Sequence, residues 1–186
     1  MRTLVIDTSS AKSALALLSD DAVIAESVKA SGRQYDVQAE VHALSGGPPA
    51  VDRVAVALGP GSFTGLRSGI AYALGLALGR RLPLMGMETL RLQQARARKP
   101  AIGVSEAGRG RVYFLTPERE QGVAEAPELP QRWRCVGWLK TAGVNLLDEA
   151  ELKSFGEAAA EVLRGAEPVS YGTVRPQYMT GIELRR

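Results

Sequence analysis

Apolar residues along this chain gather in short runs parted by turn-forming polar residues, the spacing of an α/β protein. Leu4, Val5 and Ile6 run into Asp7, Thr8, Ser9 and Ser10. Two further apolar stretches, residues 13–18 and 22–29, flank the turn Ser19-Asp20-Asp21. Together they predict an antiparallel three-stranded meander, because Ser and Asp side chains bond the backbone locally and favour turns. A helix is predicted over residues 36–44, where Val37, Val41 and Leu44 share one face, and Ser45-Gly46-Gly47-Pro48-Pro49 ends it. Residues 53–58 read as a buried strand, 59–63 as a tight turn, 64–79 as a helix and 82–86 as a short strand. A helix over residues 88–98 then stops at Lys99-Pro100, since proline disfavours helical geometry in the residue before it.

At Ala101 the pattern begins again. Residues 102–106 form a strand ending in Glu106, 107–110 a turn and 111–115 a returning strand, a loose repeat of the hairpin around Asp7. Beyond it, residues 121–130 are polar and read as loop, 133–139 as strand and 151–163 as helix. A meander followed by alternating helix and strand, begun twice, predicts two related α/β halves, residues 1–99 and a reduced 100–186. That layout looks like the actin-like ATPase superfold.

The stretch Gly59-Pro60-Gly61-Ser62-Phe63-Thr64-Gly65-Leu66-Arg67-Ser68-Gly69 carries the strongest local signal. Gly59 and Gly61 allow a sharp strand-to-helix turn with close backbone approach, and Ser62 is placed as N-cap. The string is not a nucleotide-binding P-loop, because Leu66 separates Gly65 from Arg67 and no lysine is present. In the helix that follows, Gly61, Gly65, Gly69, Ala73 and Ala77 recur every fourth residue. Ala71, Gly75 and Gly79 make a second small-residue row, with Leu66, Ile70, Leu74 and Leu78 between them. A helix apolar all round must be buried all round. In a chain this small the prediction is that one face packs on its own sheet and the other on a partner subunit. The expected interface residues are Phe63, Arg67, Ile70, Ala71, Leu74 and Leu78, with Val41 from the preceding helix.

The string GPGSFTGLRSG resembles the signature of the bacterial TsaB (YeaZ) family, as do RTLVIDTSS before it and LPLMGMETL after it. SEAGRGRVYF and EPVSYGTVRPQYM match more loosely. The resemblance implies an actin-like fold and a cytoplasmic, non-catalytic subunit of the machinery that makes threonylcarbamoyl-adenosine in tRNA. It also implies pairing with the catalytic paralogue TsaD, assembly with the ATPase TsaE, a homodimer when alone, and contact with tRNA through the complex. Asp7, Thr8 and Ser9 correspond to the first phosphate loop of actin-like kinases. With Gly59, Gly61 and Ser62 they are candidate vestigial nucleotide contacts. The second loop falls at residues 106–110. A histidine pair of the catalytic paralogue, carried over by order along the chain, falls near Thr89 and Gln93, neither of which suits a catalytic metal. Ser105-Glu106-Ala107-Gly108 stands where the family more often shows Asp-Ala-Arg.

The remaining composition narrows the chemistry. The single histidine, His42, cannot build a metal site alone and leaves no Ser-His-Asp triad but one built on itself, and one cysteine, Cys135, in an apolar run, reads as a buried small hydrophobe. No catalytic residue, metal or cofactor is expected. Two other classes remain open: an actin-like small-molecule kinase with Asp7 or Glu106 holding magnesium, and a stand-alone homodimeric regulator. The net charge of +3 leans on arginine, densest in residues 91–99, where no aromatic residue is available for base stacking and a solvated helix end is expected. Asp7 interrupts any leader-like apolar run, and the uncharged stretch 68–79 is far short of the roughly 20 residues that span a bilayer, so a cytosolic protein is expected.

Overall fold

The computed structural model describes residues 1–32 and 34–177. The opening meander forms as expected: β1 (Arg2–Asp7), β2 (Lys12–Ser19) and β3 (Ala22–Ala30) pair antiparallel, with Leu4 opposite Leu17 and Leu15 opposite Ser27. Helix α1 (Val37–Ser45) starts at Asp36, whose carboxylate accepts from the Ala39 amide at 3.1 Å, and ends at Gly46 in the left-handed region. Two parallel strands, β4 (Arg53–Gly59) and β5 (Leu84–Glu88), complete a five-stranded sheet of order β3-β2-β1-β4-β5. Between them lies α2 (Phe63–Arg80), which like α1 covers one face of the sheet. Leu4, Ile6, Leu15, Val54, Val56 and Leu84 fill that interface.

The second half repeats the first. Strands β6 (Ile102–Gly108), β7 (Arg111–Leu115) and β8 (Gln121–Glu125) form a second meander, and β9 (Cys135–Val136) lies parallel to β6, giving the order β8-β7-β6-β9. Position for position this is the first sheet without its fifth strand, so the reduction of the second half is visible in its topology. Ile102, Val104, Val112, Phe114 and Cys135 make its core. Burial pushes the Cys135 thiol up to about 11, as befits a buried hydrophobe.

Four expectations need correction. The stretch 121–130 is not loop: β8 pairs with β7 and is followed by a 3₁₀ turn, Ala126–Glu128. Its inward positions are Gly122 and Ala124, too small to give an apolar alternation. The strand expected over 133–139 shrinks to Cys135–Val136. Helix α3 (Thr89–Ala95) stops short of Arg98, because Arg96 turns inward. Helix α4 (Phe155–Leu163) begins four residues later than expected, after the N-cap Ser154, which accepts from the Glu157 amide while the Glu157 carboxylate accepts from the Ser154 amide.

The division at residue 100 parts the two sheets but not the chain that follows. Helix α4 packs with α3 on the other face of the first sheet, where Phe155, Ala158, Ala159 and Leu163 meet Val5, Ala16, Met85 and Trp138. The chain then straps the sheet edge: the Val169 amide donates to the Leu84 carbonyl at 2.8 Å and the Gln177 amide to Leu58 at 2.6 Å. Tyr178 and Met179 of the closing motif lie outside the described residues. Among the described residues no helix is long and apolar enough to cross a membrane.

Candidate functional site

The glycine-rich turn connects β4 to α2 through the cis Gly59-Pro60 bond and caps the helix with Ser62, whose hydroxyl accepts from the Gly65 amide at 3.3 Å. Gly59 has φ +118°, which an L side chain rarely adopts, and a Cβ there would also overlap the Gln177 carbonyl oxygen. The Gly61-Gly65-Gly69 row faces inward, onto the end of β1. The Ser62 amide donates to the Ser9 carbonyl at 2.7 Å, and the Thr8 hydroxyl donates to the Gly65 carbonyl at 2.6 Å. These glycines therefore serve contact within the chain, not with a partner.

The first loop is sealed by that contact. Asp7 and Ser9 are fully buried, and Thr8 and Ser10 nearly so. Asp7 Oδ1 accepts from the Ser9 amide at 2.9 Å and its hydroxyl at 2.5 Å, while Thr89 donates to the same hydroxyl at 3.1 Å. Burial raises the Asp7 carboxyl above its usual range, against the opposing pull of the Ser9 bonds, Arg96 and Gln93. Asp7, Ser9 and Gly59 do not line the cleft between the halves, Gly61 and Ser62 do, and Thr8 lines an adjoining cavity with Ser62 and Gly65.

Behind Asp7 stands a group of side chains that sequence reasoning missed. Arg96 is 3% exposed. It donates to Gln93 Oε1 at 3.0 Å, bonds Glu149, and lies over the Trp138 ring, 4.3 Å from its centroid. Trp138 Nε1 also donates to Glu149, at 2.8 Å, and the Trp138 carbonyl accepts from the Ala11 amide. Arg96, expected on a solvated helix end, is instead part of the polar joint between the halves. Thr89 and Gln93 are both fully buried in it. The placement of Trp138 in an apolar run hinted at burial; nothing in the residue order paired it with Arg96.

The cleft between the halves, about 550 Å³, has Ser10, Ser62 and Phe63 on one wall and Glu106, Tyr113 and Lys140 on the other. Glu106 accepts from the Lys140 and Thr141 amides and, at 3.0 Å, from the Thr141 hydroxyl, so each of its oxygens accepts at least one hydrogen bond. His42 is exposed. Among the described residues no three His, Cys, Asp or Glu side chains come together as a metal site.

The outer face of α2 is the open one. Phe63 is 53% and Leu78 50% exposed, with Arg67, Ala71 and Gly75 also exposed between them and Leu74 half-buried. The Arg67 guanidinium lies 3.7 Å from the centre of the Phe63 ring. A groove of about 310 Å³ between α1 and α2 continues this face past Ala71, Gly75, Gln38 and His42. Ile70 and Val41 do not belong to it. At 6% and 0% exposure they point into the core with Leu66 and Val37, because the side of α2 that carries Ile70 covers β1 and β4.

Comparison with known proteins sets the class. A family model described as TsaD, tRNA N6-adenosine threonylcarbamoyltransferase, matches residues 38–126. A solved structure of YeaZ from Pseudomonas aeruginosa superposes with a TM-score of 0.74 over 96% of this chain and 99% of that one, at 21% identity. The fold is of the actin-like ATPase type. The chain is also similar to the tRNA threonylcarbamoyladenosine biosynthesis protein TsaB of Bacillus subtilis, 32% identical over 149 residues, covering 75% of this chain and 65% of the relative. TsaB of Escherichia coli is 34% identical over 131 residues, covering 65% of this chain and 57% of the relative. This chain belongs to the TsaB (YeaZ) family. It spans less than two thirds of the length of either of these relatives.

Proposed function

We propose that this chain is a non-catalytic scaffold subunit in the biosynthesis of threonylcarbamoyladenosine in tRNA, working through the open face of α2. On this reading the face binds the catalytic paralogue TsaD, the ATPase TsaE joins the pair, and the isolated chain covers the same face with a second copy, all in the cytoplasm. The observation that carries the reading is the division of labour around α2. Gly61, Gly65 and Gly69 are used up against the end of β1, while Phe63, Arg67, Ala71, Gly75 and Leu78 are exposed and Leu74 is half-buried beside them. An apolar stripe rimmed by polar residues is the surface a protein partner covers. The named relatives, as biosynthesis proteins for this nucleoside, support the choice of pathway.

The kinase alternative is disfavoured by the site itself. Phosphoryl transfer needs positioned metal and a base, yet Asp7 is fully buried and both oxygens of Glu106 are bonded. The test is co-purification with the paralogue from the same organism, followed by a modification assay on unmodified tRNA with and without this chain. Modification that proceeds equally well without the chain would sink the reading. Folded chain that never binds the paralogue would point to a stand-alone regulator.

A further inference from the structure

Helices α3 and α4 lie on the face of the first sheet opposite α1 and α2. Between them runs a groove of about 450 Å³ lined by Arg91, Gln94 and Ala97 on one side and by Glu161, Val162 and Arg164 on the other. Arg98 and Lys99 follow Ala97 directly, and with Arg91 they are exposed and form no ion pair among the described residues. Two acids beside the groove are already met, Glu161 by Lys153 at 2.6 Å and Asp21 by Arg164 at 3.0 Å, while half-buried Glu88 lies close enough to feel the charge of Arg91. The inward turn of Arg96 splits the basic run, leaving Arg91 on one side of it and Arg98 and Lys99 on the other.

We infer that this groove binds the phosphate backbone of RNA. Arg91 in the groove and Arg98 and Lys99 on the chain just past it are spaced, solvated cations that hold a single small anion poorly, whereas a polyanion meets several at once and releases its condensed counterions. No aromatic side chain lines the groove, so contact is with the backbone and blind to base identity. Because the groove is on the far side of the sheet from the open face of α2, a partner seated there leaves it free. The inference rests on the proposed role in tRNA modification, which makes the RNA a tRNA.

The test measures fluorescence anisotropy of a labelled, unmodified tRNA transcript with the full chain over a range of salt. Wild type is compared with Arg91→Gln/Arg98→Gln/Lys99→Gln and with a variant of equal charge loss on the other sheet, Arg109→Gln/Arg111→Gln/Lys140→Gln. Each phosphate contact contributes a slope of about 0.9 to the dependence of log affinity on log salt. The groove variant is expected to lose about tenfold or more in affinity at low salt and to flatten the slope by roughly 2 to 3, with an unchanged thermal melt. The control variant should keep the wild-type slope. No RNA binding by wild type, equal loss in both variants, or wild-type binding by the groove variant would each overturn the inference. So would a groove variant that keeps RNA but loses an acidic protein partner. Wild-type chain that supports tRNA modification beside an unaffected groove variant would remove this inference alone; wild-type chain that supports none would remove the proposed role instead.

Discussion

Thr8 donates its hydroxyl proton to the carbonyl oxygen of Gly65 at 2.6 Å, and the place a Cβ on Gly65 would take is held by the carbonyl oxygen of Thr8 itself. Two backbones are thus pressed together at the junction of β1 and α2, with a hydrogen bond across the contact. The atom in the way is main chain, so it has no rotamer to escape into.

Gly65→Ala should therefore destabilise the protein more than an ordinary overpacking change, which costs about 1–3 kcal/mol. Thr8→Val, which removes only the hydrogen bond, should cost about 1 kcal/mol. Urea unfolding of both variants checks the order. Gly65→Ala as stable as wild type would mean that α2 can shift away from β1.

Asp7 gives the fold a pH dependence of known sign. Burial raises its carboxyl above the ordinary value of 3.8. Between that value and the raised one, the native state holds more protons than the unfolded chain, so stability falls as pH rises through this window. Asp7→Asn keeps an acceptor for the two Ser9 donors without the buried charge. The variant should gain on wild type as pH climbs above 3.8 towards the raised value, read as the difference in melting temperature at each pH. A constant difference would mean that Asp7 does not titrate in this range.

The fold was largely legible in the residue order. Ser62 as a cap, the turn at 19–21 and the repeat from Ala101 each act locally, within a turn or a strand, and local physics writes itself into neighbouring residues. What escaped was set by contacts distant in the chain. Ile70 and Leu74 look alike in an all-apolar helix, and only the position of β1 and β4 decides that Ile70 is inside. The glycine row resembled an intersubunit surface because small residues mark close approach without saying to what. Arg96 looked like any helix-end arginine; its burial depends on Trp138 and Glu149, some forty and fifty residues later. The Ser154–Glu157 capping pair was there to be read and would have placed the start of α4.

Arg96 should prove to be the residue that holds the halves together. Arg96→Met keeps the stem over Trp138 but removes the bonds to Gln93 and Glu149 and leaves Asp7 without its nearby positive charge. Stranding buried charge by removing one partner costs about 3–5 kcal/mol; Glu149, half-exposed, recovers water and lowers the expected loss to about 2–3 kcal/mol. The two halves should also lose cooperativity, so that tryptophan fluorescence reports an earlier transition than far-ultraviolet circular dichroism. A single coincident transition at wild-type stability would show that the joint does not depend on Arg96.

The open face of α2 gives the last prediction its contrast. Leu78→Glu places a carboxylate on a side chain that is half exposed in the lone chain, so folding should be unaffected within about 0.5 kcal/mol. Leu74→Glu, half-buried in the same stripe, should cost somewhat more and still fold. Ile70→Glu, one turn inside, buries an unpaired charge and should unfold the chain at 37 °C. A self-association face is isologous, so each exterior substitution is felt twice in a homodimer and once against the paralogue. Apolar area is worth about 25 cal/mol per Å² when covered, and a carboxylate covered without a partner reverses that gain. Sedimentation should find Leu78→Glu monomeric where wild type is dimeric, and its affinity for the paralogue reduced at least tenfold. If Leu78→Glu and Leu74→Glu both fold, stay dimeric and bind the paralogue as wild type does, then the working surface is elsewhere. The exposed side of α1, with Gln38 and His42 across the groove, is the next to mutate.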